Sequence, residues 1–184
     1  MEKRLISVKT LAAVVIGAVL MFVLNRFAAI PTGVPKTYLY PGVAILSLFA
    51  AIFGPLVGLL IGFIGHALVD LTRPDNVSWT WVIASTLYGL TTGLFWKIYR
   101  IEEGEFEVKQ ALVFNGVQIA ANILAWVIVA PTLDILVGRE HPDKVYLQGL
   151  VAASLNAAVV LILGTLLAFG YSKTRAKAAS QKAE

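Results

Sequence analysis

The sequence predicts an all-α polytopic membrane protein, a single transmembrane domain of six helices with both termini in the cytoplasm. The first observation is composition: 58% of the 184 residues are hydrophobic and 14% are charged, whereas soluble domains carry about 25% charged residues. The second is a series of apolar runs long enough to cross about 30 Å of hydrocarbon as helices. The third is the unequal distribution of basic residues between the segments that join these runs.

One transmembrane domain is predicted to span residues 1–184. Its helices cover approximately residues 7–29, 41–53, 55–71, 78–99, 110–130 and 147–171, and a basic tail follows at 172–184. The N-terminal run begins like a signal peptide, with basic residues before an apolar stretch. That stretch is too long for a signal peptide, and no small-residue cleavage site closes it before Asn25. We therefore interpret it as a retained first helix.

The dipeptide Gly54-Pro55 interrupts the apolar run at 42–71. Because proline removes a helical hydrogen bond and clashes with the preceding turn, this run is either one bent helix or two helices joined by a tight turn. With two helices, both termini lie on the side that receives twice as many basic residues, so the positive-inside rule favours six spans. The cytoplasmic set is Lys3, Arg4, Lys9, Lys97, Arg100, Lys109, Lys173, Arg175, Lys177 and Lys182, and the external set is Arg26, Lys36, Arg73, Arg139 and Lys144.

Several chemistries are not indicated by the sequence. The basic residues flank hydrophobic spans and form no stripe with interleaved aromatic residues, so no nucleic acid partner is expected. The chain has no cysteine, no GxxxxGK[ST] loop for ATP, and no HExxH or GxSxG motif. Its two histidines, His66 and His141, do not accompany a carboxylate cluster. We therefore expect no catalytic residue, no metal site and no cofactor.

His66 and Asp70 form an ionisable pair in a strongly apolar segment, close to the point where that segment leaves the membrane. Residues four apart on a helix share a face and can hydrogen-bond. Ionisable residues in a membrane usually face a bundle interior or a cavity. The pair is thus either a ligand contact or a structural link between helices. Trp79 and Trp81 follow, and they fit either an interfacial aromatic belt or a stack against a planar ligand.

The fifth predicted helix carries amides along one face. Asn115, Gln118, Asn122 and Trp126 follow at intervals of three, four and four residues, which places them on one side of a helix. Because an amide without a partner is costly in lipid, this side is expected to face inward. Asn115 and Gln118 lie toward the cytoplasm and are expected to link helices. Asn122 and Trp126 lie in the external half and are expected to bind a ligand.

The sixth predicted helix adds two amides in its external half, Gln148 and Asn156, and Asp134 stands just past the fifth. The polar residues of three helices therefore gather toward the outside. This asymmetry predicts a ligand cavity that opens externally, since small-molecule pockets combine apolar walls with a few polar groups. The predicted substrate-binding residues are His66, Asp70, Trp79, Trp81, Asn122, Trp126, Gln148 and Asn156.

Over essentially its whole length the chain resembles the S component of energy-coupling factor (ECF) transporters, in a subgroup grouped with riboflavin-type S components. The resemblance rests on the six short helices and on FGPLVGLLIGFIGHALVDL, WTW at 79–81, FNGVQIAANILAW at 114–126 and APTLDIL at 130–136. It implies a substrate-binding subunit of an ABC importer in the bacterial cell membrane, which captures a water-soluble vitamin or vitamin precursor outside. It also implies docking on a T subunit, with ATP hydrolysis in two separate ATPase subunits.

The resemblance further implies roles for particular residues. The small-residue motif of the family's first helix contacts the T subunit, and Ala13 and Gly17 match it here. The loop at 31–40 would cap the ligand. Tryptophans, amides and one His-Asp pair suit hydroxymethylpyrimidine, pyridoxine or a riboflavin-like compound. Two alternatives stay open: a self-sufficient carrier or channel, and a membrane-embedded enzyme that uses His66 and Asp70.

Overall fold

The computed structural model describes residues 7–74, 76–138 and 140–181. It is mainly helical, with one short hairpin. The helices are α1 Val8–Phe27, α2 Gly42–Phe53, α3 Pro55–Leu71, α4 Trp79–Gly93, α5 Trp96–Tyr99, α6 Val108–Gly138 and α7 Pro142–Ser180, and the strands are β1 Ile30–Pro31 and β2 Tyr38–Leu39. The residues of the topology count that lie outside the described ranges are Lys3, Arg4, Arg139 and Lys182.

Three of the described helices, α1, α6 and α7, are long and apolar enough to cross a membrane, and α2 and α3 are shorter apolar helices. Many large hydrophobic side chains on these helices are exposed, as expected for surfaces that face lipid rather than water. The six-span count and the cytoplasmic location of both termini stay predictions.

The break between α2 and α3 lies where the sequence predicted it. Gly54 adopts φ 92° and ends α2, and Pro55 is the first residue of α3. Glycine reaches this backbone conformation without a Cβ clash, and proline at the first helical position loses no hydrogen bond. The apolar run at 42–71 is therefore two helices joined by a tight turn.

The last helices differ from the predicted bounds. The chain is helical to Gly138 and again from Pro142, so most of the polar segment predicted as a loop is helix. Pro131 is accommodated because it lies in the first turn of the segment Ala130–Leu133, where its missing N–H is not required. The predicted fourth helix, in contrast, is divided into α4 and α5.

Helices α6 and α7 contain π-helical segments, at Ile123–Val129, Asp134–Gly138 and Val160–Gly164. Such segments are rare and often occur at functional sites. Between these helices Asn115 Nδ2 donates to Thr165 Oγ1 at 2.9 Å, and Gln118 Nε2 donates to the Ala157 carbonyl at 3.2 Å. Asn115 and Gln118 thus link helices, as predicted.

Glycines allow α3 and α4 to cross in close contact. A Cβ on Gly58 would run into the Gly89 carbonyl, and a Cβ on Gly89 would run into the Gly58 carbonyl. One turn away, a Cβ on Gly62 would meet the Ser85 carbonyl. This backbone-to-backbone contact fixes the end of α3 beside the start of α4, where the predicted ligand residues lie.

The small residues of α1 pack inside the chain. Ala13 and Gly17 are buried, and a Cβ on Gly17 would collide with the Ile61 side chain of α3. The opposite face of α1 is apolar and exposed, for example at Val15 and Val19. In this structure, therefore, the pair packs against a neighbouring helix of its own chain. Its contact with a T subunit stays a prediction.

Candidate functional site

A cavity of about 430 Å³ lies where the hairpin, the α3–α4 connection and the adjoining ends of α6 and α7 meet. Its walls come from three stretches of the chain that are distant in sequence, 36–40, 66–81 and 126–156. Seven of the eight predicted substrate-binding residues line it: His66, Asp70, Trp79, Trp81, Trp126, Gln148 and Asn156. The remaining lining includes residues of the hairpin, the α3–α4 connection and the end of α6. The structure therefore brings most of the predicted site together.

Asn122 is the exception among the predicted site residues. It is 1% exposed, and its Nδ2 donates to Gln118 Oε1 and to the Gln118 carbonyl, both at 2.9 Å. The π-helical segment Ile123–Val129 begins at the next residue. A π-helical turn holds more residues than an α-helical turn, so Trp126 rotates off the amide face and into the cavity while Asn122 stays below it.

Two tryptophans and a histidine form the aromatic wall. The rings of Trp81 and Trp126 stack with centroids 5.7 Å apart, and the His66 ring lies 6.1 Å from Trp126. Close packing of α7 holds Trp126 in position, because a Cβ on Gly149 would strike the Trp126 carbonyl. Trp79 is at the cavity edge, stacked on Phe63 and 53% exposed. The wall thus presents broad ring faces that suit a planar ligand.

His66 and Asp70 face the cavity together. His66 Nε2 and Asp70 Oδ1 are 3.8 Å apart, which is within ion-pair range but too long for a hydrogen bond. The other carboxylate oxygen, Oδ2, accepts from the Ser78 backbone N–H at 3.1 Å. This contact spans the α3–α4 connection and fixes Asp70 from one side only. The pair therefore keeps hydrogen-bonding capacity that a ligand can use.

Asp134 is part of the site, although sequence reasoning placed it only near the end of a helix. Its Oδ2 accepts from the Trp81 indole N–H at 2.6 Å, and its Oδ1 accepts from the Thr80 hydroxyl. The carboxylate is 9% exposed and lines the cavity. Its position at the start of the π-helical segment Asp134–Gly138 directs it toward α4. The adjacent APT sequence could have suggested a bend there, but nothing in it indicated Thr80 as the partner.

Arg73 holds the hairpin over the cavity, although it was not among the residues predicted to form the site. Its Nη1 donates to the Tyr40 hydroxyl at 2.8 Å, and its guanidinium lies 4.5 Å from the centre of the Tyr38 ring. Its Nη2 also donates to the Asn25 carbonyl at 3.4 Å. Burial raises the pKa of Tyr40, although Arg73 acts in the opposite direction. Tyr40 therefore keeps its proton at neutral pH.

Gln148 joins the hairpin to α7. Its Nε2 donates to the Pro35 carbonyl at 2.7 Å, and the hairpin is closed by pairing of Ile30 with Leu39 and of Pro31 with Tyr38. The predicted contact of Gln148 with a ligand is thus accompanied by a structural role, since one of its two amide N–H groups is already used. The segment at 31–40 lies across the cavity at Lys36, Thr37, Tyr38 and Tyr40.

Two buried polar atoms at the cavity have no hydrogen-bond partner among the described residues. They are the indole nitrogen of Trp126 and Oδ1 of Asn156, on residues that are 5% and 3% exposed. A smaller void of about 20 Å³ adjoins them and also touches Ser85, whose hydroxyl is unpartnered as well. Buried polar groups without partners are uncommon in native proteins. They are the donors and acceptors that a bound molecule would satisfy.

Charges at the cavity are balanced but separated. Lys144 pairs with Glu140 at 2.6 Å, and this ion pair holds down the pKa of the exposed Glu140 carboxyl. Within the described ranges there is no group of three His, Asp or Glu side chains placed to hold a metal ion. The site therefore offers ring faces, two carboxylates and unpartnered amide and indole groups.

The fold resembles a solved membrane protein of known class. The crystal structure of the S component for biotin from an ECF-type ABC transporter superposes with a TM-score of 0.64, over 90% of this chain and 92% of that one, at 15% sequence identity. At that identity the likeness concerns the fold. The chain therefore has the fold of a membrane-embedded S component, with the cavity at one end of the helix bundle.

The sequence assigns the family. Residues 5–173 match the family described as ECF-type riboflavin transporter, S component, and the chain belongs to this family. Relatives designated UPF0397 protein cover the whole chain: one from Clostridium perfringens strain SM101 is 46% identical over 100% of its length, and one from Lacticaseibacillus casei strain BL23 is 41% identical over 98%. A third, from Staphylococcus aureus strain MRSA252, is 44% identical over its full length.

Proposed function

We propose that this chain is the substrate-capturing subunit of an ECF importer, and that its cavity binds a small heteroaromatic vitamin or vitamin precursor. The observation that carries the proposal is the stacked pair Trp81 and Trp126 beside unpartnered polar groups. Planar rings bind against aromatic faces, and a few polar groups fix their orientation. Family membership supports the transport role.

The proposal includes a six-span topology with both termini in the cytoplasm, so that the cavity opens to the outside. The distribution of basic residues along the sequence supports this orientation. Two further subunits would hydrolyse ATP, and a T subunit would couple them to this chain. This division of labour agrees with the lack of a phosphate-binding loop in the sequence.

Transport is expected to require the partner subunits. Cells that lack any ECF module and express this chain alone should not accumulate radiolabelled hydroxymethylpyrimidine, pyridoxine or riboflavin. Coexpression of a T subunit and two ATPases should give uptake of one of them. Trp126→Ala should reduce that uptake at least tenfold, because it removes the stacking face and an indole N–H.

Trp96→Ala provides a matched control for Trp126→Ala, because Trp96 is packed against Gly54, away from the cavity. Its uptake should stay within twofold of the wild type. Uptake by the chain alone would instead identify a self-sufficient carrier. Conversion of any bound compound by the purified protein, abolished by His66→Ala, would identify an enzyme.

We further propose that α1 provides the docking surface for the T subunit. The packing of α1 against α3 indicates which face of the helix is available to the partner. Ala13 and Gly17 draw α1 against α3, and the neighbouring exposed face, with Val15 and Val19, would meet the partner. Val15→Trp should abolish uptake in the coexpressing cells without changing ligand affinity, because the added ring separates two closely packed helices.

Ile162→Trp, on an exposed face of α7, is the control for the same added bulk and should transport normally. Gly17→Leu should instead lower thermal stability, since its side chain would collide with Ile61. Normal uptake by Val15→Trp together with blocked uptake by a stable, ligand-binding Gly17→Leu would restore the docking role to the small-residue pair itself.

A further inference from the structure

The Asp134 carboxylate is held in a fixed orientation at the cavity wall. The Trp81 indole and the Thr80 hydroxyl each donate to one of its oxygens. An ionised carboxylate has about four acceptor positions, so two donors leave it with capacity to accept more. Since α4 supplies both donors and α6 supplies the carboxylate, the helix packing itself sets the direction in which the remaining lone pairs point.

Its negative charge has no basic partner in the parts of the chain that the structure describes. The ion pairs there include none to Asp134, and Asp70 pairs only with His66. Of the bases at the cavity, Arg73 contacts Tyr38 and Tyr40 and Lys144 pairs with Glu140. The third, Lys36, is an exposed residue of the hairpin, and the ion pairs of the described residues include none between it and Asp134. A largely buried charge is costly until a partner compensates it.

A second observation, independent of the two carboxylates, points to a bound molecule. Asn156 Oδ1 is an unpartnered acceptor and Trp126 Nε1 is an unpartnered donor, and both residues are more than nine-tenths buried at the cavity. A carboxylate and an amide oxygen accept hydrogen bonds, and the indole N–H donates one. Together these groups match a ring that carries N–H donors on its edge beside a nitrogen with a free lone pair.

We propose that Asp134 is the specificity-determining contact for an amino group of the ligand, so that the cavity selects amino-substituted nitrogen heterocycles over their hydroxy counterparts. This inference rests on the proposed function and names the substrate class of the same site. The ring would lie along the Trp81–Trp126 wall, where the aromatic faces also favour a positive charge. The amino group would donate to Asp134.

Binding of two matched pairs of compounds to the purified protein tests the proposal. The first pair is 4-amino-5-hydroxymethyl-2-methylpyrimidine and its 4-hydroxy counterpart, and the second is pyridoxamine and pyridoxine. In at least one pair the wild-type protein should bind the amino compound roughly 10- to 100-fold more tightly, as expected for one charged hydrogen bond. Asp134→Asn should reduce this preference to about threefold or less.

The ratio of the two affinities within a pair distinguishes loss of recognition from a folding defect, because general damage to the cavity weakens the binding of both compounds alike. Asp134→Glu keeps the charge and should keep the preference even where overall affinity falls. Asp143→Asn, which changes an exposed carboxylate at the start of α7, should leave all affinities unchanged.

Equal affinity within every pair that binds, or a preference that survives in Asp134→Asn, would overturn the inference. Binding of riboflavin alone would also overturn it, while the proposed vitamin-binding function would stand. If none of these compounds binds, the inference fails. If in addition no small molecule copurifies with the protein, the proposed function fails too.

Discussion

Gly58→Leu is expected to prevent the protein from folding stably. Gly58 and Gly89 face each other at the crossing of α3 and α4, and a Cβ on either would run into the other's carbonyl. Overpacking a well-packed core typically costs about 1–3 kcal/mol. Here the obstacle is backbone, which cannot move aside as a side chain can, so we expect at least about 3 kcal/mol.

Thermal unfolding in detergent, with the yield of monodisperse protein, measures this effect. Gly116→Leu is the matched control, because nothing lies within 4 Å of a Cβ at that position and it lies on an exposed part of α6. The control should unfold within a few degrees of the wild type. Equal unfolding temperatures for Gly58→Leu and Gly116→Leu would mean that α3 and α4 do not cross at these glycines.

The helix crossing explains why part of the fold could be predicted from the sequence. Glycines at every fourth position mark one face of α3 whatever the rest of the chain does, and Gly54-Pro55 breaks the helix through local backbone constraints. Such signals depend only on neighbouring residues. The bounds of α6 and α7 were harder to predict from the sequence, because a proline such as Pro131 usually ends a regular α-helix. Here it is tolerated in the turn after a π-helical segment.

The site residues, too, were predictable only where the signal comes from neighbouring residues in the chain. His66, Asp70 and Trp126 are polar or amphipathic residues within apolar runs, and membrane energetics alone makes them candidates. Asn122 fulfils the same criterion, yet the π-helical segment that follows it rotates Trp126 into the cavity and leaves Asn122 bonded to Gln118. A helical wheel assumes one constant rotation per residue, so it assigned both residues to one face.

Contacts between segments that are distant in the chain could not be predicted from the sequence alone. Thr80 reaches Asp134 across 54 positions, and Gln148 reaches Pro35 across 113. Neither contact leaves a local pattern. The small-residue pair of α1 is a related case: Ala13 and Gly17 indicate close helix packing, but the sequence does not say whether the neighbour is α3 or a partner subunit.

The largest local effect is expected for Arg73→Ala, which should release the hairpin from the cavity. The substitution removes the hydrogen bonds to Tyr40 and to the Asn25 carbonyl, together with the contact of the guanidinium with the Tyr38 ring. The strands are two residues long each, and a two-stranded hairpin is marginally stable on its own. Among the described residues, the side-chain hydrogen bond that would still join the hairpin to a helix is that of Gln148 to the Pro35 carbonyl.

Hydrogen exchange of the backbone amides at 32–39 measures this release without any knowledge of the ligand. A charged hydrogen bond is worth about 1.5–3 kcal/mol, so loss of Arg73 should speed exchange there by roughly 10- to 100-fold. Arg26→Ala is the control, because within the described residues the partly exposed Arg26 donates one long hydrogen bond, to the Thr72 carbonyl at 3.4 Å. Its hairpin should exchange at nearly the wild-type rate.

Arg73→Lys distinguishes geometry from charge in the same experiment. Lysine keeps the positive charge, but it lacks the planar guanidinium that contacts two partners and a ring face at once. Exchange in Arg73→Lys should therefore be closer to that of Arg73→Ala than to the wild type. If the hairpin stays protected in both variants, Gln148 and the strand pairing suffice to close the cavity. In that case the contacts of Arg73 do not determine the stability of the hairpin.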